Sequence, residues 1–208
     1  MYSSILKGLV TCVIPFALGG VGNAAIIYSA LPNQSGGTDL NCCREADNFT
    51  VATATTAQFI KFWTFQGSAA SYAGSIAWSI NTDSAGKPGT SVASGSATPT
   101  PVATGITGFG LNEFSYLFAV NVPLTPGNYW VVLHNGPTSS IPSTDFFWEF
   151  SNGNAGNSQS QDLALPNQPW ISNFAELAFE VQDNTPEPAS ILLLGAGLAA
   201  VLYRKRLQ

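Results

Sequence analysis

Apolar and polar residues alternate along much of the chain between residues 26 and 185. Ile76, Trp78 and Ile80 alternate with small or polar residues, and the stretch around Phe179 has the same period of two. This spacing places successive apolar side chains on one face of an extended strand. The pattern predicts strands that each bury one face and expose the other.

Turn-forming sequences separate these strands, among them residues 81–89, Pro126-Gly127 and residues 135–137. No stretch of the body has a convincing helical period. About nine short strands, spaced roughly ten to fifteen residues apart, favour an all-β fold, an antiparallel β-sandwich of jelly-roll type. The predicted strands cover residues 49–54, 59–65, 75–80, 91–95, 101–107, 114–119, 128–134, 145–151 and 176–181.

An apolar segment, residues 8–21, precedes the body and is followed by small residues that include Ala24 and Ala25. This order is typical of a secretory signal peptide that is cleaved after one of these two alanines. A retained membrane helix is an alternative, but ~14 residues are fewer than the ~20 that span a bilayer. Lipidation at Cys12 is another alternative, although Thr11 stands where the bacterial lipidation motif takes a smaller residue.

A second apolar segment, residues 191–203, lies close to the C-terminus. It is preceded by Pro186, Glu187 and Pro188 and followed by Arg204, Lys205 and Arg206. The prolines keep the segment before it extended, because each removes an N–H and biases its predecessor away from helix. The basic cluster is a stop-transfer signal that stays inside and leaves the body outside. We therefore predict a signal peptide at residues 1–25, a β-sandwich domain at 26–182 and a sorting region with a short transmembrane helix at 183–208.

This order of Pro-Glu-Pro, short apolar helix and terminal basic cluster resembles the PEP-CTERM protein-sorting signal of Gram-negative bacteria. The resemblance covers residues 186–208, and Thr185 departs from the valine that often precedes the motif in that family. It implies recognition by an exosortase, an integral-membrane cysteine peptidase, while the inner membrane holds the tail. It also implies a location at the cell surface or outside the cell after processing. An ordinary C-terminal membrane anchor is the alternative.

Phrases within the body, such as residues 72–78 and 126–136, look like those of other PEP-CTERM proteins with β-sandwich bodies. That group has no established activity, so the resemblance implies a location and a fold. The resemblance implies no chemistry for the residues of the body.

The composition excludes several classes of protein. Only 9% of the residues are charged, and residues 26–185 carry three cations against eleven anions, a net charge of −8. Such a surface repels phosphate backbones, which excludes nucleic-acid binding. So few charges also exclude a coiled coil, and 12% aromatic residues supply too much apolar surface for a disordered chain.

Candidate catalytic and metal-binding residues are sparse. His134 is the one histidine, so a Ser-His-Asp triad would have to include it, but its place at the end of an apolar strand favours a structural role. No histidine or cysteine cluster has zinc spacing, and a loose calcium site at Asp83, Asp145 or Asp162 is an alternative. We predict no catalytic residue, no cofactor and no metal.

A glycan-active hydrolase or lyase is the alternative function. Hydrolysis of a glycosidic bond needs two carboxyl groups ~5 to 9 Å apart across a cleft. Glu176 and Glu180 are about 13 Å apart along one strand face, which is too far. The candidate carboxyl groups are Glu113, Asp145, Glu149, Glu176 and Glu180.

The tryptophans are the candidate binding residues, because flat aromatic faces stack on sugar rings. Trp78 and Trp148 have Ile or Phe at period two, which favours the core. Trp130 is out of phase with its apolar neighbours and Trp170 follows a proline-rich loop, so both are expected to be exposed and to contact a glycan. We predict a non-enzymatic, exported protein that is associated with exopolysaccharide.

After removal of the signal peptide, Cys42 and Cys43 are the cysteines that remain. Their Cα atoms are ~3.8 Å apart across a trans peptide, which is shorter than the separation in most disulfides. A bond between them, reduced thiols and bonding to another chain are all open.

Overall fold

The structure, a computed structural model, describes residues 25–142, 144–152, 157–165 and 168–183. A short 3-10 helix, Ala69–Ser71, accompanies the strands, and no helix in these ranges is long and apolar enough to cross a bilayer. The strands, in chain order, are β1 (Ala25–Ala30), β2 (Pro32–Asp39), β3 (Cys43–Val51), β4 (Thr55–Gln66), β5 (Ile76–Asp83), β6 (Pro88–Ala97), β7 (Val102–Gly108), β8 (Leu111–Leu124), β9 (Gly127–Asn135), β10 (Phe146–Ser151), β11 (Gln159–Asp162), β12 (Ile171–Ser172) and β13 (Phe179–Asp183).

Seven strands form the first sheet, sheet A, with β4 at its centre. β4 is twelve residues long and pairs with β8 along one side. Along its other side, residues 59–62 pair with β13 and residues 64–66 pair with β10. Twelve extended residues span about 40 Å, which gives room for both shorter strands in line. β1 then pairs with β13, β2 with β10 and β7 with β8.

Six strands form the second sheet, sheet B, in the order β12-β11-β3-β9-β5-β6. Every pairing of named strands in both sheets is antiparallel. Phe62 of β4, Ile80 of β5 and Val131 of β9 belong to one buried core that both sheets supply. The prediction of an all-β, antiparallel sandwich is therefore confirmed.

Each of the nine predicted strands overlaps an observed one, but β1, β2, β11 and β12 were not predicted. Two of them have no alternation to detect: β2 reads PNQSGGTD and β11 reads QSQD. These segments are extended because their neighbours hold them in a ladder, as when Gln159 pairs with Ala46. Tertiary pairing overrides the weak local preference of such polar segments.

The expectation that the last strand exposes its polar face is wrong. Glu176, Ala178 and Glu180 are all buried. β1 lies beside β13, where the Tyr28 hydroxyl donates to Glu176 at 3.2 Å and the Ser29 hydroxyl donates to Glu180 at 3.3 Å. Side chains of the first described strand therefore contact Glu176 and Glu180, which the pattern assigned to solvent.

Candidate functional site

A groove of about 380 Å³ lies over the outer face of sheet B. Its lining includes Ala77 and Ser79 of β5, Val132 of β9 and Ser94 of β6, together with Arg44 of β3. Ile76, Ile80, Val131 and Leu133 alternate with these positions and point into the core. Ala77, Ser79 and Ser94 have small side chains, which leave space for the groove at this part of the outer face.

Trp130 lies on this outer face but is not exposed, so the expectation from the sequence is wrong. The side chain is 0% exposed and packs with Ala46 and Val132 in a small cluster separate from the main core. Its Nε1 donates to Asp83 Oδ1 at 2.8 Å, and Trp170 packs against the same cluster. The alternation correctly placed Trp130 on the outer face, but the chain near residue 170 covers that face.

Trp170 is partly buried, and two cations contact it. The Arg44 guanidinium lies over its ring, with Cζ 5.5 Å from the centroid, and the Lys87 ammonium donates to its carbonyl oxygen at 3.1 Å. Arg44 also donates through Nη2 to Gln161, whose own amide donates to the Gln168 carbonyl oxygen at 2.7 Å. Burial lowers the pKa of Arg44 from its ordinary value. Glycan contact by Trp170 stays a prediction.

His134 is buried, and each of its ring nitrogens faces a backbone carbonyl oxygen. Nδ1 lies 3.0 Å from the Gly136 carbonyl oxygen and Nε2 lies 3.1 Å from the Asn41 carbonyl oxygen. The ring thus joins the end of β9 to the segment that connects the two sheets. Both partners of the imidazole are backbone groups rather than a side-chain nucleophile, which is the geometry of a structural histidine.

Glu113 and Glu149 approach each other on the outer side of sheet A. The Gln34 backbone N–H donates to Glu149 Oε1 at 3.0 Å, and its side-chain amide donates to Glu113 Oε2 at 3.2 Å. Burial and the adjacent Glu113 carboxyl raise the pKa of Glu149 to about 8. The two carboxyl groups, 2% and 0% exposed, lie beneath β2 rather than in an open cleft.

Three further carboxyl groups are buried where β3 meets the segment before β13. Burial raises the pKa of Glu45 to about 7, although Ser160 and Asn173 each donate a hydrogen bond to it at 2.7 Å. Burial and the neighbouring Glu176 carboxyl raise the pKa of Asp47, which accepts from the Leu177 N–H at 2.6 Å. Neutral hydrogen-bond donors thus contact Glu45 and Asp47, for which the sequence pattern predicted no role.

The aspartates considered for calcium do not come together. Asp83 accepts from Trp130 and from the Gly86 N–H, Asp162 accepts from the Ala164 N–H, and Asp145 is exposed. Within the described ranges, no three His, Cys, Asp or Glu residues are placed to hold a metal ion.

Cys42 and Cys43 form a disulfide between sequence neighbours, with their Cα atoms 3.7 Å apart. The pair lies where the chain passes from β2 in sheet A to β3 in sheet B. Of the open alternatives, the structure therefore contains the bond within the pair.

The C-terminal part of the sequence matches a known protein-family motif. Residues 184–206 match the PEP-CTERM protein-sorting motif, which includes Pro186–Pro188 and Arg204–Arg206. The match indicates an exported protein whose C-terminus is anchored in the membrane until an exosortase processes it. No curated protein matches this chain. The chain is thus an exosortase-processed, exported protein with a β-sandwich body.

The signal peptide, the transmembrane helix and the stop-transfer cluster lie outside the described residues and stay predictions. Ala25 is the first residue of β1 and pairs with Asp183 of β13. Cleavage after Ala24 would leave β1 complete, whereas cleavage after Ala25 would remove one residue of it.

Proposed function

We propose that the mature protein is a non-catalytic β-sandwich of the cell surface or extracellular matrix that binds exopolysaccharide in the groove of sheet B. Signal peptidase frees its N-terminus and an exosortase its C-terminus, in a Gram-negative host. The observation that carries the proposal is the groove of about 380 Å³ lined by hydroxyl, amide and guanidinium side chains. Sugar rings present hydroxyl groups that such side chains bind, and open polar grooves suit an extended polymer.

The arrangement of the groove supports this function. Small residues on adjacent strands, Ala77, Ser79 and Ser94, leave space on the sheet surface, and Arg44 stands beside them. Trp170 adds a partly exposed aromatic surface next to Arg44. Aromatic and polar groups side by side are the combination that binds the apolar faces and the hydroxyl groups of sugars.

Binding of the exported protein to its host's exopolysaccharide, measured by co-sedimentation, tests this proposal. The Ser94→Trp variant places an indole in the groove and is expected to abolish binding, while Trp170→Ala weakens it. Phe109→Ala is the matched control, because this aromatic residue is 69% exposed and lies between β7 and β8 in the other sheet. Equal binding by the wild type and the Ser94→Trp variant would contradict the proposal.

One observation favours the alternative, a glycan-active hydrolase or lyase. Glu113 and Glu149 are adjacent carboxyl groups, and Glu149, with its pKa of about 8, keeps a proton that a general acid needs. Their burial beneath Gln34 opposes this function, because a substrate would have to displace β2. Release of reducing ends from the exopolysaccharide by the wild type, and its loss in Glu149→Gln, would establish the alternative.

A further inference from the structure

The cations of the body are unevenly placed. Residues 26–185 contain three, Arg44, Lys61 and Lys87, against eleven acidic residues. Two of the three contact Trp170: Arg44, which lines the groove of sheet B, lies over its ring, and Lys87 donates to its carbonyl oxygen. The third, Lys61, lies in sheet A with its ammonium 4.6 Å from the centroid of Trp63. An acidic body therefore has one of its three cations, Arg44, in the lining of the proposed binding groove.

Arg44 has hydrogen-bonding capacity that its neighbours leave unused. The Arg44 guanidinium donates to the neutral Gln161 side chain and lies over the Trp170 ring. Its Nε atom is buried and has no acceptor in these ranges. A buried donor without an acceptor is destabilising. Gln161 and Trp170 also fix the guanidinium in place beside the groove.

We propose that Arg44, held in place by Gln161 and Trp170, binds a carboxylate carried by the polysaccharide, so that the ligand is an acidic, uronate-type polymer. This inference rests on the proposed function and specifies its ligand. A guanidinium binds a carboxylate through two parallel N–H donors. Polar lining residues such as Ser79 and Ser94 then face the hydroxyl groups of the adjoining sugars.

The net negative charge of the body opposes the binding of any acidic polymer, but screening by salt and the burial of acidic side chains limit this effect at Arg44. Charges separated by more than about 8 to 10 Å are largely screened at physiological ionic strength. Several acidic side chains are also buried, Glu45, Asp47, Glu113 and Glu149 among them. Asp83, which lies in the same turn region as Lys87, accepts from Trp130 Nε1 and from the Gly86 N–H. Arg44 is the charged residue that lines the groove itself.

Affinity measured on two forms of one polymer tests the inference. The exported protein is titrated with the host's exopolysaccharide, native and after chemical reduction of its carboxyl groups to alcohols, and with polygalacturonic acid as a defined uronate. We expect the native polymer and polygalacturonic acid to bind and the reduced polymer to bind about tenfold or more weakly, as when one charge-assisted hydrogen bond is lost. Arg44→Gln should cause a similar loss on the native polymer, and Arg44→Lys a smaller one.

Lys61→Gln is the matched control, because it removes the same unit of charge from the other sheet and should leave binding unchanged. Circular dichroism and thermal unfolding confirm that each variant is folded. Equal affinity for the native and reduced polymers, or equal losses in Lys61→Gln and Arg44→Gln, would overturn the inference while polysaccharide binding itself stands. Absence of binding to every polymer would overturn the proposed function as well.

Discussion

Replacing Glu45 by glutamine is expected to remove a pH-dependent loss of stability. The Glu45 side chain is 1% exposed, and burial raises its pKa from 4.5 to about 7. Hydrogen bonds from Ser160 and Asn173 oppose this rise without cancelling it. The folded protein therefore holds the Glu45 proton to a higher pH than the unfolded chain does.

The magnitude follows from the linkage between proton binding and folding. Below about pH 4.5, Glu45 is protonated in both states and contributes no pH dependence. As the pH rises from about 4.5 to about 7, the unfolded chain releases the proton first, and the free energy of unfolding falls by about 1.4 kcal/mol per pH unit. The difference between 4.5 and about 7 then corresponds to a loss of about 3 kcal/mol at pH 8.

Glutamine fits the same surroundings. Its amide oxygen can accept from Asn173 Nδ2, and its amide nitrogen can donate to the Ser160 hydroxyl oxygen once that hydroxyl rotates. An imperfect fit would change the stability equally at every pH. The prediction therefore concerns the change with pH in the difference between variant and wild type.

Denaturant unfolding followed by tryptophan fluorescence measures this difference at pH 4, 6 and 8. We expect the stability of Glu45→Gln relative to the wild type to rise by about 3 kcal/mol from pH 4 to pH 8. Asp145→Asn, at an exposed carboxylate, is the control for the removal of one negative charge. A difference that is the same at pH 4 and pH 8 would refute the reasoning.

Three further predictions concern stability in the same unfolding assay. Trp130→Phe should lower the free energy of unfolding by about 1 to 3 kcal/mol, because the hydrogen bond from Nε1 to Asp83 is lost. Trp130→Ala should lower it by about 3 to 5 kcal/mol, because the whole buried side chain is removed. Equal losses of stability in the two variants would contradict this account. Gly37→Ala should cost about 1 to 3 kcal/mol because the added Cβ would lie 2.6 Å from the Trp148 carbonyl oxygen, whereas Gly67→Ala, with its nearest atom at 3.6 Å, should cost less. Replacing Cys42 and Cys43 together by serine should cost only about 1 kcal/mol, because a disulfide between neighbours closes a very short loop; alkylation and mass spectrometry verify the bond in the wild type.

The outer face of sheet B shows which structural features can be predicted from alternation in the sequence and which cannot. Alternation placed Trp130 on the face opposite Val131, and the structure agrees. The inference that this face is exposed at Trp130 failed because Trp170, forty residues away, packs against the cluster around Trp130. A period of two identifies the face to which a side chain belongs, whereas its exposure depends on segments that are distant in the sequence.

The buried carboxyl groups also show that the surroundings of a side chain depend on distant segments of the chain. The sequence gives the number of acidic residues, but it does not indicate that Glu113 meets Glu149 or that Asp47 meets Glu176. Each pair joins strands or segments far apart in the chain, and β2, a polar segment without alternation, covers the first pair. The raised pKa values of Glu45, Asp47 and Glu149 therefore arise only when the sheets assemble.

By itself, the sequence determined the all-β class and most of the strands, because alternation is a local consequence of backbone geometry. It also determined the sorting signal, because a sorting motif is recognised from the order of its residues. Tertiary structure decided the order of the strands, the burial of Trp130 and of the carboxyl groups, and the meeting of Arg44 and Lys87 at Trp170. These features depend on which distant strands pair and which segments cover them, and hydrogen bonding and packing between the sheets select those partners.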